Sequence, residues 1–158
     1  MKSLKNILVV LLVAAVAFTF VSCSDASAAK VGEYYTYKMS GTASGQAISY
    51  EFNTSGQLTK VTYNGQSYTS ATYLSSYSSM ANYVYSFKLG TGKKLESFKM
   101  GDESLMISGT NYTWVEKDSK LTFKAGSEQL LQMDVDGDGY KWTTTSAGTS
   151  LTYYFKKK

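Results

Sequence analysis

From Val31 onward, apolar and polar positions alternate with a period of two. Ile48, Tyr50 and Phe52 share one face of an extended segment. Tyr83, Tyr85, Phe87 and Leu89 do the same, as do Leu131, Met133 and Val135, then Leu151, Tyr153 and Phe155. The pattern predicts strands near 33–39, 46–53, 57–63, 66–73, 82–89, 94–100, 104–108, 111–116, 120–124, 129–135, 140–145 and 149–156, some of them merging. Short strands separated by turn residues indicate a sandwich or a barrel, and consecutive hairpins favour up-and-down order. The expected fold is therefore all-β: an antiparallel up-and-down (meander) β-barrel of about 8–10 strands. Its expected inward set is Tyr35, Tyr37, Ile48, Tyr50, Phe52, Val61, Tyr85, Phe87, Leu131, Met133, Trp142, Tyr153 and Phe155.

Turn chemistry sets the register, because a hairpin is credible when both strands bring apolar side chains to one face. A tight turn at Ser55-Gly56 pairs Phe52 with Thr59, Tyr50 with Val61 and Ile48 with Tyr63. Asn64-Gly65, the strongest hairpin signal in the chain, pairs Tyr63 with Gln66 and Val61 with Tyr68. Around Lys117-Asp118-Ser119 two registers compete, one pairing Val115 with Leu121 and the other Trp114 with Phe123. Residues 71–84 fit neither period well. Tyr73, Tyr77, Met80, Ala81 and Val84 recur at helical spacing, but serine runs are poor helix interiors. The stretch reads as a long strand or a tyrosine-bearing loop lying as a lid over a barrel mouth, with a short helix as the other reading.

Composition sharpens the all-β picture. Fourteen tyrosines suit a pleated, half-buried surface, and the absence of proline leaves every strand free to sit inside a sheet. Sixteen lysines stand against twelve carboxylates, and there is no arginine to fork onto phosphates or base edges, so no nucleic-acid partner is expected. No histidine is present, and Cys23 is the sole thiol. That removes histidine-dependent acid–base chemistry, Ser-His and Cys-His nucleophiles and histidine-bearing zinc sites. The scattered glutamates single out no catalytic pair, so neither an enzyme nor a cofactor is expected.

Cys23 ends a segment organised for export. Lys2 and Lys5 precede an apolar run from Ile7 to Val21, shorter than the roughly 20 residues needed to span a bilayer. Phe20-Val21-Ser22-Cys23 resembles the lipobox of bacterial lipoproteins, with phenylalanine where leucine is usual. The resemblance implies that residues 1–22 are a lipoprotein signal peptide, that Cys23 is acylated and becomes the first mature residue, and that several acyl chains anchor the protein in a membrane. Ser24, rather than aspartate, follows the cysteine, which for such lipoproteins implies the outer membrane. Residues 23–30 then form the lipidated cysteine and a short tether whose last seven residues reach at most about 25 Å. Residues 31–158 form a single domain. In strand succession, and in Gly32-Glu33-Tyr34 with tyrosine in place of tryptophan, that domain resembles small lipocalin-like envelope lipoproteins.

Two sets of side chains are candidates for binding. Asp134-Val-Asp136-Gly-Asp138-Gly139 matches the first half of a calcium loop, with Asp134, Asp136 and Asp138 as the ligands to test. Position twelve of that loop is Thr145 instead of glutamate. The other reading is a hairpin turning at Gly137-Asp138, with Asp134 opposite Lys141 and Val135 opposite Tyr140, and it fits the flanks better. Tyr35, Tyr37, Tyr50, Tyr85, Trp142 and Tyr153 are candidates to line a barrel pocket for a small apolar or amphipathic ligand. The alternative is an interaction or structural protein with a filled core, whose tyrosine-rich exterior meets an envelope protein or glycan. The face that carries the surplus aromatics decides between them.

Overall fold

The computed structural model describes residues 30–146 and 149–158; residues 1–29, including Cys23, lie outside the described residues. Twelve strands form one antiparallel sheet. They are β1 (Gly32–Ala43), β2 (Gln46–Phe52), β3 (Leu58–Tyr63), β4 (Gln66–Tyr68), β5 (Tyr85–Leu89), β6 (Leu95–Met100), β7 (Glu103–Ser104), β8 (Tyr112–Lys117), β9 (Lys120–Ala125), β10 (Glu128–Asp136), β11 (Gly139–Ser146) and β12 (Thr149–Lys157). Their up-and-down order runs β4-β3-β2-β1-β12-β11-β10-β9-β8, with β5 on β1, β6 on β5 and β7 on β6.

The turns follow backbone sterics. Asn64 and Gly65 both have positive φ, 47° and 79°, the combination a two-residue primed turn requires, and the expected pairs Tyr63–Gln66 and Val61–Tyr68 form. Ile48 meets Tyr63 and Tyr50 meets Val61 as the pattern requires, but a bulge next to Glu51 sets Phe52 against Leu58 instead of Thr59. The competition around Lys117 resolves to Trp114 opposite Phe123, through a two-residue turn with Asp118 at φ 53° and Ser119 at φ 58°.

β1 is the hinge of the architecture. Gly32 to Tyr35 pair with β5, whereas Lys38 to Ala43 pair with β2, and β12 runs along the other edge of both halves. Between the halves Tyr37 is an extra residue, for Thr36 opposes Phe155 and Lys38 opposes Tyr154. A bulge of one residue reverses the alternation. Tyr34 and Thr36 therefore point inward before it and Met39 after it, so the expected inward positions Tyr35 and Tyr37 lie on the opposite face. Thr36 is the one polar side chain in the buried set of described residues. Its Oγ1 donates to the Tyr85 carbonyl at 2.9 Å and accepts from the Tyr85 N–H at 3.1 Å, holding β5 where the β1 ladder leaves it.

The sheet curls but does not close as expected. From β5 through β1, β12, β11, β10 and β9 to β8 the ladder is continuous, yet β6 and β8 do not pair: an isolated bridge joins Lys94, just ahead of β6, to Thr113 on β8. At the far end of β6, Lys99 and Met100 pair with β7. Trp114 crosses the same seam, its indole N–H donating to the Gly90 carbonyl at 3.1 Å.

Three expected strands are shorter than their runs. β4 stops at Tyr68, β7 is two residues long, and Tyr83 is exposed outside β5. Residues 71–84 hold two short helical segments: α1 (Ala71–Ser75), capped by the Ser70 hydroxyl, and a 3₁₀ segment (Ser78–Tyr83). The segment is not a strand because its apolar side chains recur at helical spacing and pack on the inner face of the β2–β4 wing, with Tyr77 5.9 Å from Tyr50 and Tyr73 stacked on Tyr68 at 4.2 Å. One core runs through both parts of the sheet, from Ile48, Tyr50, Phe52 and Val61 in the wing to Phe87, Trp114, Phe123, Tyr140 and Phe155 in the curled part.

Candidate functional site

The interior of the curled sheet is occupied by aromatic rings that meet across it. Phe87 on β5 lies 5.1 Å from Phe123 on β9, 5.3 Å from Phe155 on β12 and 6.0 Å from Tyr140 on β11, and it stacks on Tyr34 at 5.0 Å. A second level sits beside this one. Tyr85 contacts Trp142 at 5.3 Å, Tyr153 at 5.1 Å and Phe98 at 5.8 Å, while Trp142 stacks on Tyr153 and Phe98 meets Phe123 edge-on. β5 and β11 are not neighbours in the sheet, and Tyr153 on β12 touches both rings, so the three side chains form one cluster. Ring pairs at these separations satisfy the preferences of aromatic quadrupoles and leave the rings as one another's partners.

The buried phenols also find protein partners. Tyr140 donates to Glu116 Oε2 at 2.8 Å, and the Tyr112 hydroxyl accepts from the Ile107 N–H at 2.9 Å. Among the described residues no buried side-chain polar atom lacks a hydrogen bond. Burial, the largest cause in each case, raises the pKa of Tyr34, Tyr50 and Tyr85, pushes Tyr153 up to about 12, and raises Tyr140 further still with help from Glu116.

Of the six tyrosine and tryptophan candidates, the fold brings three together in the interior: Tyr85, Trp142 and Tyr153. Tyr50 is buried in the wing against Tyr77. The bulge at Tyr37 places Tyr35 and Tyr37 on the outer face, where the Lys156 ammonium stands 5.6 Å from the first ring and 5.0 Å from the second.

The acidic turn adopts the hairpin register, with Asp134 opposite Lys141, Val135 opposite Tyr140 and Asp136 opposite Gly139. Asp134 is ion-paired to Lys120, and that hydrogen bond, outweighing desolvation, lowers its pKa. Asp136 and Asp138 line a shallow outer groove with Tyr37, Lys156 and Lys157. Among the described residues no three Asp, Glu, Cys or His side chains come together as a metal site.

A groove of about 680 Å³ lies on the outer face over β1, β2 and β12 and is lined by Lys38, Ser40, Thr42, Ser49, Thr62 and Thr152, among others. Sequence reasoning missed it, although the signal was present: the polar partners of the alternating apolar positions are almost all serine or threonine here. Register aligns them. Ser67, Thr62, Ser49, Ser40, Thr152 and Thr143 follow one another across β4, β3, β2, β1, β12 and β11 in a single row. The next row, two residues along the strands, is Lys60, Glu51, Lys38, Tyr154, Lys141, Asp134 and Lys120. Charges alternate along that row except where Tyr154 stands.

Comparison with protein families, with curated proteins and with solved structures finds no match to this chain. The functional reading therefore rests on the geometry and on the N-terminal sequence.

Proposed function

We propose that the protein is a lipoprotein of the bacterial cell envelope, anchored at the outer membrane through acylated Cys23, and that it acts as an interaction protein through the outside of its sheet. The observation that carries the second part is the aromatic fill. Tyr85, Trp142 and Tyr153, the side chains best suited to line a pocket, spend their faces and edges on one another. A groove of about 680 Å³ lies on the outer face. The anchor rests on the lipobox-like Phe20-Val21-Ser22-Cys23, and multiple acyl chains give stable attachment where one is marginal.

A second reading, a small apolar ligand held beside Tyr85, Trp142 and Tyr153, draws on the incomplete burial of Tyr85 and Trp142. Two measurements separate these readings and test the anchor. Cys23→Ala is expected to abolish labelling by a fatty-acid analogue and release the protein from membranes; labelling that persists in the variant removes the lipoprotein reading. Titration with an amphipathic fluorophore such as anilinonaphthalene sulfonate is expected to give no saturable rise in the dye's own emission. A saturable rise lost in Tyr85→Ala favours the carrier.

A further inference from the structure

The row of hydroxyls on the outer face carries chemistry of its own. Six adjacent strands place serine or threonine at matched positions, and at a strand separation of about 4.8 Å the row is roughly 24 Å long. Its ends are internally satisfied: Thr62 bonds Ser67 at 3.1 Å and Thr143 bonds Thr152 at 2.9 Å. The central pair is different. Ser40 and Ser49 stand opposite each other in the groove and have no side-chain hydrogen bond among the described residues.

A serine hydroxyl offers one donor and two acceptor sites, so a line of them complements a ligand that is itself a line of hydroxyls. The groove's charge narrows the choice. Its lining includes one ammonium, Lys38, and no carboxylate. Glu51, the acid opposite Lys38, is bonded to Lys60 at 2.8 Å. Lys38 stands 5.6 Å from the Tyr154 ring, which adds an apolar plate beside the hydroxyls. A hydrocarbon ligand would leave the hydroxyls unpaired, and a nucleic acid would bring a phosphate at every step to a groove with one cation.

We infer that this groove binds an extended glycan bearing carboxylates, lying across β2, β1 and β12 with its hydroxyls on Ser40 and Ser49 and a carboxylate on Lys38. The inference rests on the reading that the protein acts through its outer face, and names the partner class.

The test uses the full lipidated protein in detergent and two probes: chitohexaose, a neutral glycan, and peptidoglycan strands freed of their peptides, which carry lactyl carboxylates. Calorimetric titration is expected to show both binding, with the carboxylate-bearing strands tighter. Ser40→Val with Ser49→Val, substitutions that suit a strand, is expected to weaken both at least tenfold at an unchanged unfolding midpoint. Ser40→Thr with Ser49→Thr keeps the hydroxyls and is expected to retain binding. Lys38→Gln is expected to weaken the carboxylate-bearing strands severalfold and leave chitohexaose unaffected.

Failure of the wild-type protein to bind either glycan overturns the inference, as does wild-type affinity in the double valine variant or equal losses for both probes in Lys38→Gln. The fluorophore titration on the same sample keeps the two levels apart. Silence there with no glycan bound removes the glycan and leaves the outward-acting reading standing, while a saturable rise in dye emission lost in Tyr85→Ala removes that reading itself.

Discussion

At the scale of the residue, the fork in the sheet depends on Thr36. Its hydroxyl serves both backbone groups of Tyr85 where the β1 ladder ends. Thr36→Val preserves shape and leaves a buried N–H and a buried C=O without partners, which costs on the order of 2–3 kcal/mol. Thr36→Ser keeps the hydroxyl, so its loss should be smaller. Urea unfolding of the two variants checks this, with the valine midpoint well below that of serine; equal midpoints would mean that water replaces the hydroxyl. Gly139 is a position of a different kind. A Cβ there would lie 1.9 Å from the Phe155 carbonyl oxygen, so close strand approach, rather than turn conformation, requires the glycine.

Elements carry the clearest link between sequence and register. Asp118 and Ser119 both adopt left-handed backbone without being glycine, and such residues store strain of about 1 kcal/mol each. Ser119→Gly should therefore stabilise the β8–β9 hairpin by roughly 0.5–1 kcal/mol, read as a higher thermal midpoint with the Trp114–Phe123 register intact. The same hairpin marks the limit of what pattern can decide. Both candidate registers kept apolar side chains aligned, and the choice fell to a turn whose residues do not announce it. Asn64-Gly65 and Gly137-Asp138 did announce theirs, and their pairs formed as read. The inward set failed at Tyr35 and Tyr37 for a related reason: the bulge at Tyr37 is specified by β12 and β5 together, and no local residue signals it. Residues 71–84 carried a helical period that outweighed the low helix propensity of serine once Tyr73, Tyr77 and Met80 had a wing to cover.

At the scale of the whole molecule, a core built from phenols makes stability sensitive to alkali. An exposed phenol ionises near pH 10.0, whereas Tyr153 is held up to about 12 and Tyr34, Tyr50, Tyr85 and Tyr140 are also raised, chiefly by burial. The folded state thus favours the protonated form. The contribution is complete below pH 10, falls as pH rises from 10 through 12, and is absent above the folded values. The thermal midpoint should hold steady through pH 9 and then drop steeply. Absorbance at 295 nm should show the exposed tyrosines ionising first and the buried ones ionising with unfolding; ionisation of all fourteen as a single population near pH 10 would contradict the aromatic packing. The all-β, up-and-down class was legible from alternation and turns, but the open seam was not, because nothing in the pattern of β6 or β8 says whether their edges pair.

That the interior belongs to the protein's own rings is the claim on which the outward-acting reading depends. Native mass spectrometry of the full-length protein, purified under mild conditions from the cells that make it, tests it most directly. The expected result is the mass of the chain and any covalent modification alone, with no stoichiometric apolar guest. A defined small molecule retained at one per chain and released by Tyr85→Ala or Trp142→Ala would contradict it.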